Sequence, residues 1–134
     1  MELTLKAKDT NLDAVNNFVH SQLPYECTTQ TINMLDLAVE EIFVNIAHYA
    51  YDAENTENEV TVNCELKGCT LTIIFSDTGK PFNPLDRPDP DITLSAEQRR
   101  IGGLGIYLTK QFMDKVEYEY KDGHNILTIK KDLI

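Results

Sequence analysis

The sequence predicts an α+β fold, a two-layer sandwich with a mixed β-sheet and helices on one face. Two observations carry this expectation. Segments of period-two alternation and segments of helical periodicity follow each other in the order β-α-α-β-β-loop-α-β-β. Lys67-Gly68 and Asp122-Gly123 each separate two such alternating runs, which marks two hairpins.

Leu3, Leu5 and Ala7 alternate with Thr4, Lys6 and Lys8, giving an opening strand. Asp9-Thr10-Asn11 supplies N-cap residues for a helix over residues 12–23, which Pro24 stops. A longer helix is expected over residues 28–49, with Leu35, Val39, Ile42 and Ile46 as its apolar stripe, widened by Ile32, Phe43 and Ala47. Residues 52–58 are a polar connection. Strands follow over 60–66 and 70–76, then a long stretch from 77 to 101 that holds Pro81, Pro84, Pro88 and Pro90. A connection of that length in a small domain points to a functional loop. A third helix opens near Gly103–Gly105, and strands over 116–121 and 126–131 end the chain. With no internal repeat or linker, residues 1–134 read as one domain.

With 42% hydrophobic residues the chain can bury a core. No stretch approaches the roughly 20 consecutive apolar residues of a membrane-spanning helix. The opening MELTLKAKD lacks the apolar centre of a signal peptide, so a cytoplasmic location is expected. Cys27, Cys64 and Cys69 have no metal-ligand spacing and read as free thiols in a reducing compartment. A net charge of −10 without a basic tract argues against a nucleic-acid partner, because phosphate contacts need clustered Lys and Arg.

Three ordered segments carry the chemistry. Glu41 and Asn45 lie four apart on the long helix and share a face roughly 80–140° from the centre of the apolar stripe. That face borders the core and suits a cleft lining, although such a pair alone is most often a solvated helix edge. Asp77 and Gly79, in SDTGKPF, follow an apolar strand, so a carboxylate acceptor can point into a pocket while the chain turns sharply. Alone, this is an ordinary turn. Gly102, Gly103, Leu104 and Gly105 open the third helix, where backbone N–H groups and the helix dipole favour an anion. The pattern is neither a P-loop nor a dinucleotide-binding G-x-G-x-x-G.

In this order the segments resemble the N, G1 and G2 boxes of the GHKL superfamily of gyrase, heat-shock chaperone, histidine kinase and mismatch-repair ATPases. EEIFVNIAHYAY, SDTGKPFNP and RRIGGLGIYLTKQFMDKVEYEYKDGHNILTIKK resemble the anti-sigma-factor serine/threonine kinase branch over nearly the whole chain. The resemblance implies a histidine-kinase-like (Bergerat) ATPase fold and use of ATP with Mg²⁺. It makes Glu41 the catalytic base and Asn45 the magnesium ligand within a nucleotide site completed by Asp77, Gly79, Gly103, Leu104 and Gly105. Asp77 would receive the adenine amino group, and residues 84–100 would form a mobile lid. It also implies a STAS-type anti-anti-sigma protein as phosphorylation substrate, a sigma factor as binding partner and a homodimer. The family's first box often carries a second glycine where Lys80-Pro81 stands, and its Gly-Thr near the end is Gly123-His124 here.

Other residues invite plainer readings. His48, one turn beyond Asn45, reads as a satisfied helix histidine. Tyr118 and Tyr120 read as strand packing, and Arg99 and Arg100 as contacts to phosphate or partner, or a solvated edge. Two other functions compete with the kinase: a nucleotide-gated binding module without kinase activity, and the catalytic domain of a histidine kinase. Glu41 argues against the first, and the lack of phosphoacceptor helices in the sequence argues against the second.

Overall fold

The computed structural model describes residues 1–51, 58–86 and 104–133. Its elements are β1 (Glu2–Lys6), α1 (Leu12–His20), α2 (Thr29–Asn45), β2 (Glu59–Lys67), β3 (Thr70–Asp77), α3 (Leu104–Phe112), β4 (Lys115–Lys121) and β5 (His124–Asp132). The strands form a five-stranded sheet in the order β1-β2-β3-β5-β4. The expected α+β arrangement with helices on one face is observed.

The sheet differs from expectation in one respect: every neighbouring pair is antiparallel, so it is not mixed. The connectivity explains this. Two helices separate β1 from β2 and return the chain in the opposite direction. The single helix α3 leaves β4 running the same way as β3, but β5 inserts between them and pairs with both.

Alternation along the strands decides which face is covered. Val60, Val62, Leu71, Ile73, Phe75, Leu127 and Ile129 point inward and pack with Val15 and Val19 of α1 and Leu35, Val39, Ile42 and Phe43 of α2. The other face carries Thr4, Thr61 and Ser76 in one cross-strand row. The three cysteines are free, and burial pushes the Cys64 thiol up to about 11.

Local chemistry sets the boundaries. Asp122 and Gly123 both take positive φ (53° and 80°), the two-residue turn that Asp-Gly favours between strands. The first hairpin turns one residue later than expected, at Gly68-Cys69, with Gly68 at φ 60°. The first helix ends at His20, short of residue 23: Gln22 and Leu23 donate to carbonyls only three residues back, and Pro24 disfavours helical backbone before it. Asp9–Asn11 form a separate 3₁₀ turn rather than a side-chain cap. Thr28 caps α2, its hydroxyl accepting from the Thr31 N–H at 3.2 Å.

Candidate functional site

The long helix does not end as an α-helix. After Asn45 it widens into a π-helical turn, Ile46–Ala50, a form concentrated at functional sites. The Ala50 carbonyl at its end accepts the Lys80 N–H at 2.9 Å, tying α2 to the loop after β3. Gly79 is needed for that approach, since a Cβ there would lie 2.2 Å from the Ala50 oxygen. Tyr51 adds a second tie: its hydroxyl donates to the Glu59 carbonyl at 2.6 Å and accepts the Thr78 N–H at 2.9 Å.

Between α2, this loop and the inner face of the sheet lies a narrow, largely apolar cleft. Ile42, Ile46, Phe75, Phe82 and Leu127 supply apolar walls, and Asn45, Asp77, Tyr118 and Asn125 supply the polar groups. Phe82 also stacks on Tyr49 from the π-helical turn, ring centres 5.5 Å apart.

Asp77 is 4% exposed. Its Oδ1 accepts the Gly79 N–H and the Asn125 side-chain N–H, each at 2.9 Å. Among the described residues no group donates to Oδ2. Burial pushes the Asp77 carboxyl above its ordinary value, opposed by the hydrogen bonds from Asn125 and Gly79 and by nearby His124. Asp77 therefore lines the cleft with one oxygen, Oδ2, to which no described residue donates.

Glu41 and Asn45 touch, as their spacing requires: the Asn45 Nδ2 donates to Glu41 Oε1 at 3.3 Å. A carboxylate only accepts, so this contact fixes the amide with nitrogen toward Glu41 and Oδ1 turned away. Among the described residues nothing donates to that Oδ1. A bare amide oxygen beside a carboxylate suits a hard cation such as Mg²⁺. Glu41 also reaches α3, where a Cβ on Gly105 would lie 2.1 Å from Glu41 Oε2.

The structure thus gathers Asn45 and Asp77 around one cleft and sets Glu41 between Asn45 and Gly105. Leu104 begins α3, and Gly79 sits in the loop below. Gly103, Arg99, Arg100 and most of the expected lid lie outside the described residues; its first residues, Pro84–Asp86, form a 3₁₀ turn. His48 is satisfied by Asp9, at 2.8 Å. Tyr118, expected as strand packing, lines the cleft.

Asn125 is the residue the sequence reading passes over. It sits one position after Gly123-His124, at an inward position of a strand whose next inward residues are Leu127 and Ile129. A polar side chain in an apolar row was the available signal.

The model of the histidine kinase-like ATPase domain matches residues 5–131. The chain belongs to that family. Within it, the serine-protein kinase RsbW of Listeria monocytogenes is 31% identical over 105 residues, covering 75% of this chain and 66% of that protein. RsbW of Bacillus velezensis is 31% identical over 117 residues, 84% and 71% of the two chains. This family member therefore spans about two thirds of the length of those kinases. Among solved structures, the RsbU and RsbW domains of a Mycobacterium tuberculosis protein superpose with a TM-score of 0.68 at 14% identity, over 99% of this chain and 32% of that one. The histidine kinase domain of a blue-light-activated kinase from Erythrobacter litoralis gives 0.58 at 12% identity, over 93% and 60%. At these identities the structures speak for the fold alone.

Proposed function

We propose that this chain is an ATP-dependent serine protein kinase of the RsbW type, which phosphorylates a STAS-type anti-anti-sigma protein and binds a sigma factor. The observation that carries the kinase reading is the Glu41 carboxylate lying against the first turn of α3. Phosphate oxygens seek the free N–H groups of such a turn. A carboxylate beside them repels the phosphates, so a site that only binds nucleotide is weakened by it. A transferase uses it.

In this reading the apolar walls take the base, and Asp77 Oδ2 accepts its amino group. Leu104 and Gly105 in the first turn of α3, together with Gly103, would offer backbone N–H groups to the phosphates. Asn45 Oδ1 would hold Mg²⁺, which when bound neutralises phosphate charge. Glu41 would orient the substrate serine hydroxyl and take its proton as the oxygen bonds to the γ-phosphorus and the bond from that phosphorus to ADP breaks, in a reaction dominated by positioning. We further propose a single domain, working as a homodimer in the cytoplasm. Among the described residues no helix is long and apolar enough to cross a membrane.

The test is incubation of the chain with radiolabelled ATP and each STAS-domain protein of the same genome. One serine-labelled protein is the expected result. Nucleotide-dependent partner binding without any label would instead identify a nucleotide-gated binding module.

A further inference from the structure

Asn125 uses its whole hydrogen-bonding capacity, two acceptor sites and two N–H groups. Its Oδ1 accepts the Phe82 N–H at 3.1 Å and the Tyr118 hydroxyl in a very short contact. Its Nδ2 donates to Asp77 Oδ1 at 2.9 Å and to the Lys80 carbonyl at 2.8 Å, with the Gly79 carbonyl at 3.4 Å. Four segments meet at this one amide: β3, the loop after it, β4 and β5.

We infer that Asn125 is a positioning residue that makes the cleft select a base carrying an amino group over one carrying a carbonyl at the same position. It does so by engaging Asp77 Oδ1 and leaving Oδ2 for the ligand. The inference rests on the nucleotide-binding reading above.

The amide cannot be reversed. Reversal sets its NH₂ against the Phe82 N–H and its oxygen against the Asp77 carboxylate and the Lys80 carbonyl, so each of those contacts becomes repulsive. Asp77 Oδ1 therefore always meets an N–H from Asn125. Held by Asn125 and the Gly79 N–H, the carboxylate has one rotational position, with Oδ2 unclaimed among the described residues.

Its charge is held too. Burial favours the neutral acid, and a protonated Asp77 would present an O–H that welcomes a carbonyl. The charged groups around it are mixed: His124 on β5 favours the carboxylate, while Glu59 on β2 lines, with Asp77, Thr78 and His124, a polar hollow beside the cleft, and Tyr118 lies across on β4. The direct N–H donors are Gly79 and Asn125. Without Asn125, half of that direct support is gone. An ionised Oδ2 accepts a 6-amino group and repels a 6-oxo group, so selectivity depends on Asn125 although Asn125 need not touch the base.

The experiment titrates the full chain, with Mg²⁺, against ATP and against inosine triphosphate, which carries a carbonyl where ATP has the amino group. Wild type should prefer ATP by about tenfold or more, the scale of one hydrogen bond to a charged group. Asn125→Leu, similar in size but without the amide, should cut that preference at least about fivefold. Equal weakening of both nucleotides, leaving the ratio intact, would mean that Asn125 only supports the fold and would overturn the inference. Should the leucine variant fail to fold by circular dichroism, Asn125→Ser, too short to reach Asp77, carries the same expectation and the same refutation. A wild type that binds both nucleotides equally overturns this inference alone, and one that binds neither overturns the nucleotide reading on which it rests.

Discussion

The carboxylate of Glu41 fills the space that a side chain on Gly105 would need. An added Cβ would lie 2.1 Å from Oε2, 2.2 Å from Cδ and 2.7 Å from Cγ, so the outer half of the glutamate would have to move. Glycine inside a helix costs about 1 kcal/mol relative to alanine. The residue is therefore costly for the helix and valuable for the position of Glu41.

Replacing Gly105 by alanine separates those two effects. The helix gains propensity and Glu41 swings aside as a flexible side chain, so the melting temperature should stay within a few degrees of wild type. If Glu41 is the base, as proposed, phosphorylation should fall by at least about tenfold, because a displaced base loses much of the ~10²–10⁴-fold that a positioned one supplies. A stable variant with wild-type labelling would mean that the Glu41–Gly105 contact has no part in the chemistry.

Asp77 should trade stability for binding. Its carboxyl is pushed up, chiefly by burial. Between the unfolded value and the raised folded value, the native state keeps a proton that the unfolded chain has released. Stability therefore falls as pH rises through that window, and the ionised Asp77 is a net cost at neutral pH. Asp77→Asn keeps an oxygen for the Gly79 and Asn125 donors and removes the buried charge. It should melt no lower than wild type at neutral pH while losing ATP affinity by about ten- to hundred-fold. In wild type, ATP affinity should weaken as pH falls, beginning above the ordinary carboxylate range. An unchanged affinity in Asp77→Asn would rule out Oδ2 as the base acceptor.

Tyr51 makes a purely structural prediction. Its buried hydroxyl serves the Thr78 N–H and the Glu59 carbonyl together. Tyr51→Phe leaves both without that partner, at a cost of about 1–3 kcal/mol. Thermal unfolding should show the midpoint lowered by several degrees. No shift would mean that water or a rearranged loop replaces the hydroxyl.

Much of this was legible in the sequence because it is local. The alternation of Val60, Val62 and Cys64, the Asp-Gly turn and the stripe of α2 each follow from backbone period and turn chemistry. The pairing of Glu41 with Asn45 follows from a spacing of four. Strand order is different, because nothing local says that β5 inserts between β3 and β4 and so makes every pair antiparallel. Asn125 was missed for a related reason. Its importance comes from Asp77, 48 positions away, and from Phe82 and Tyr118, which meet it only once the sheet has formed. The π-helical turn was hidden as well, since Ile46–Ala50 reads as a simple continuation of the helix.

The two residues of α2 should fail in different ways. Glu41→Ala removes the proposed proton acceptor but leaves Asp77, Asn45 and the backbone of α3 in place. It also removes a negative charge from beside the proposed phosphate site, so ATP affinity should hold or rise slightly. Serine labelling of the STAS partner should drop by ~10²–10⁴-fold, while partner binding in ATP survives as a complex that does not turn over. Asn45→Ala instead removes the oxygen that faces away from Glu41 and the N–H that steadies Glu41 Oε1. Its nucleotide affinity should weaken in magnesium and change little in excess chelator if, as proposed, the lost group is a metal ligand. Calorimetry with and without magnesium, beside a labelling assay, distinguishes the two. If Glu41→Ala labels its partner at the wild-type rate, the base is another residue. If Asn45→Ala weakens binding equally with and without magnesium, the amide acts on the nucleotide or the fold and not on the metal.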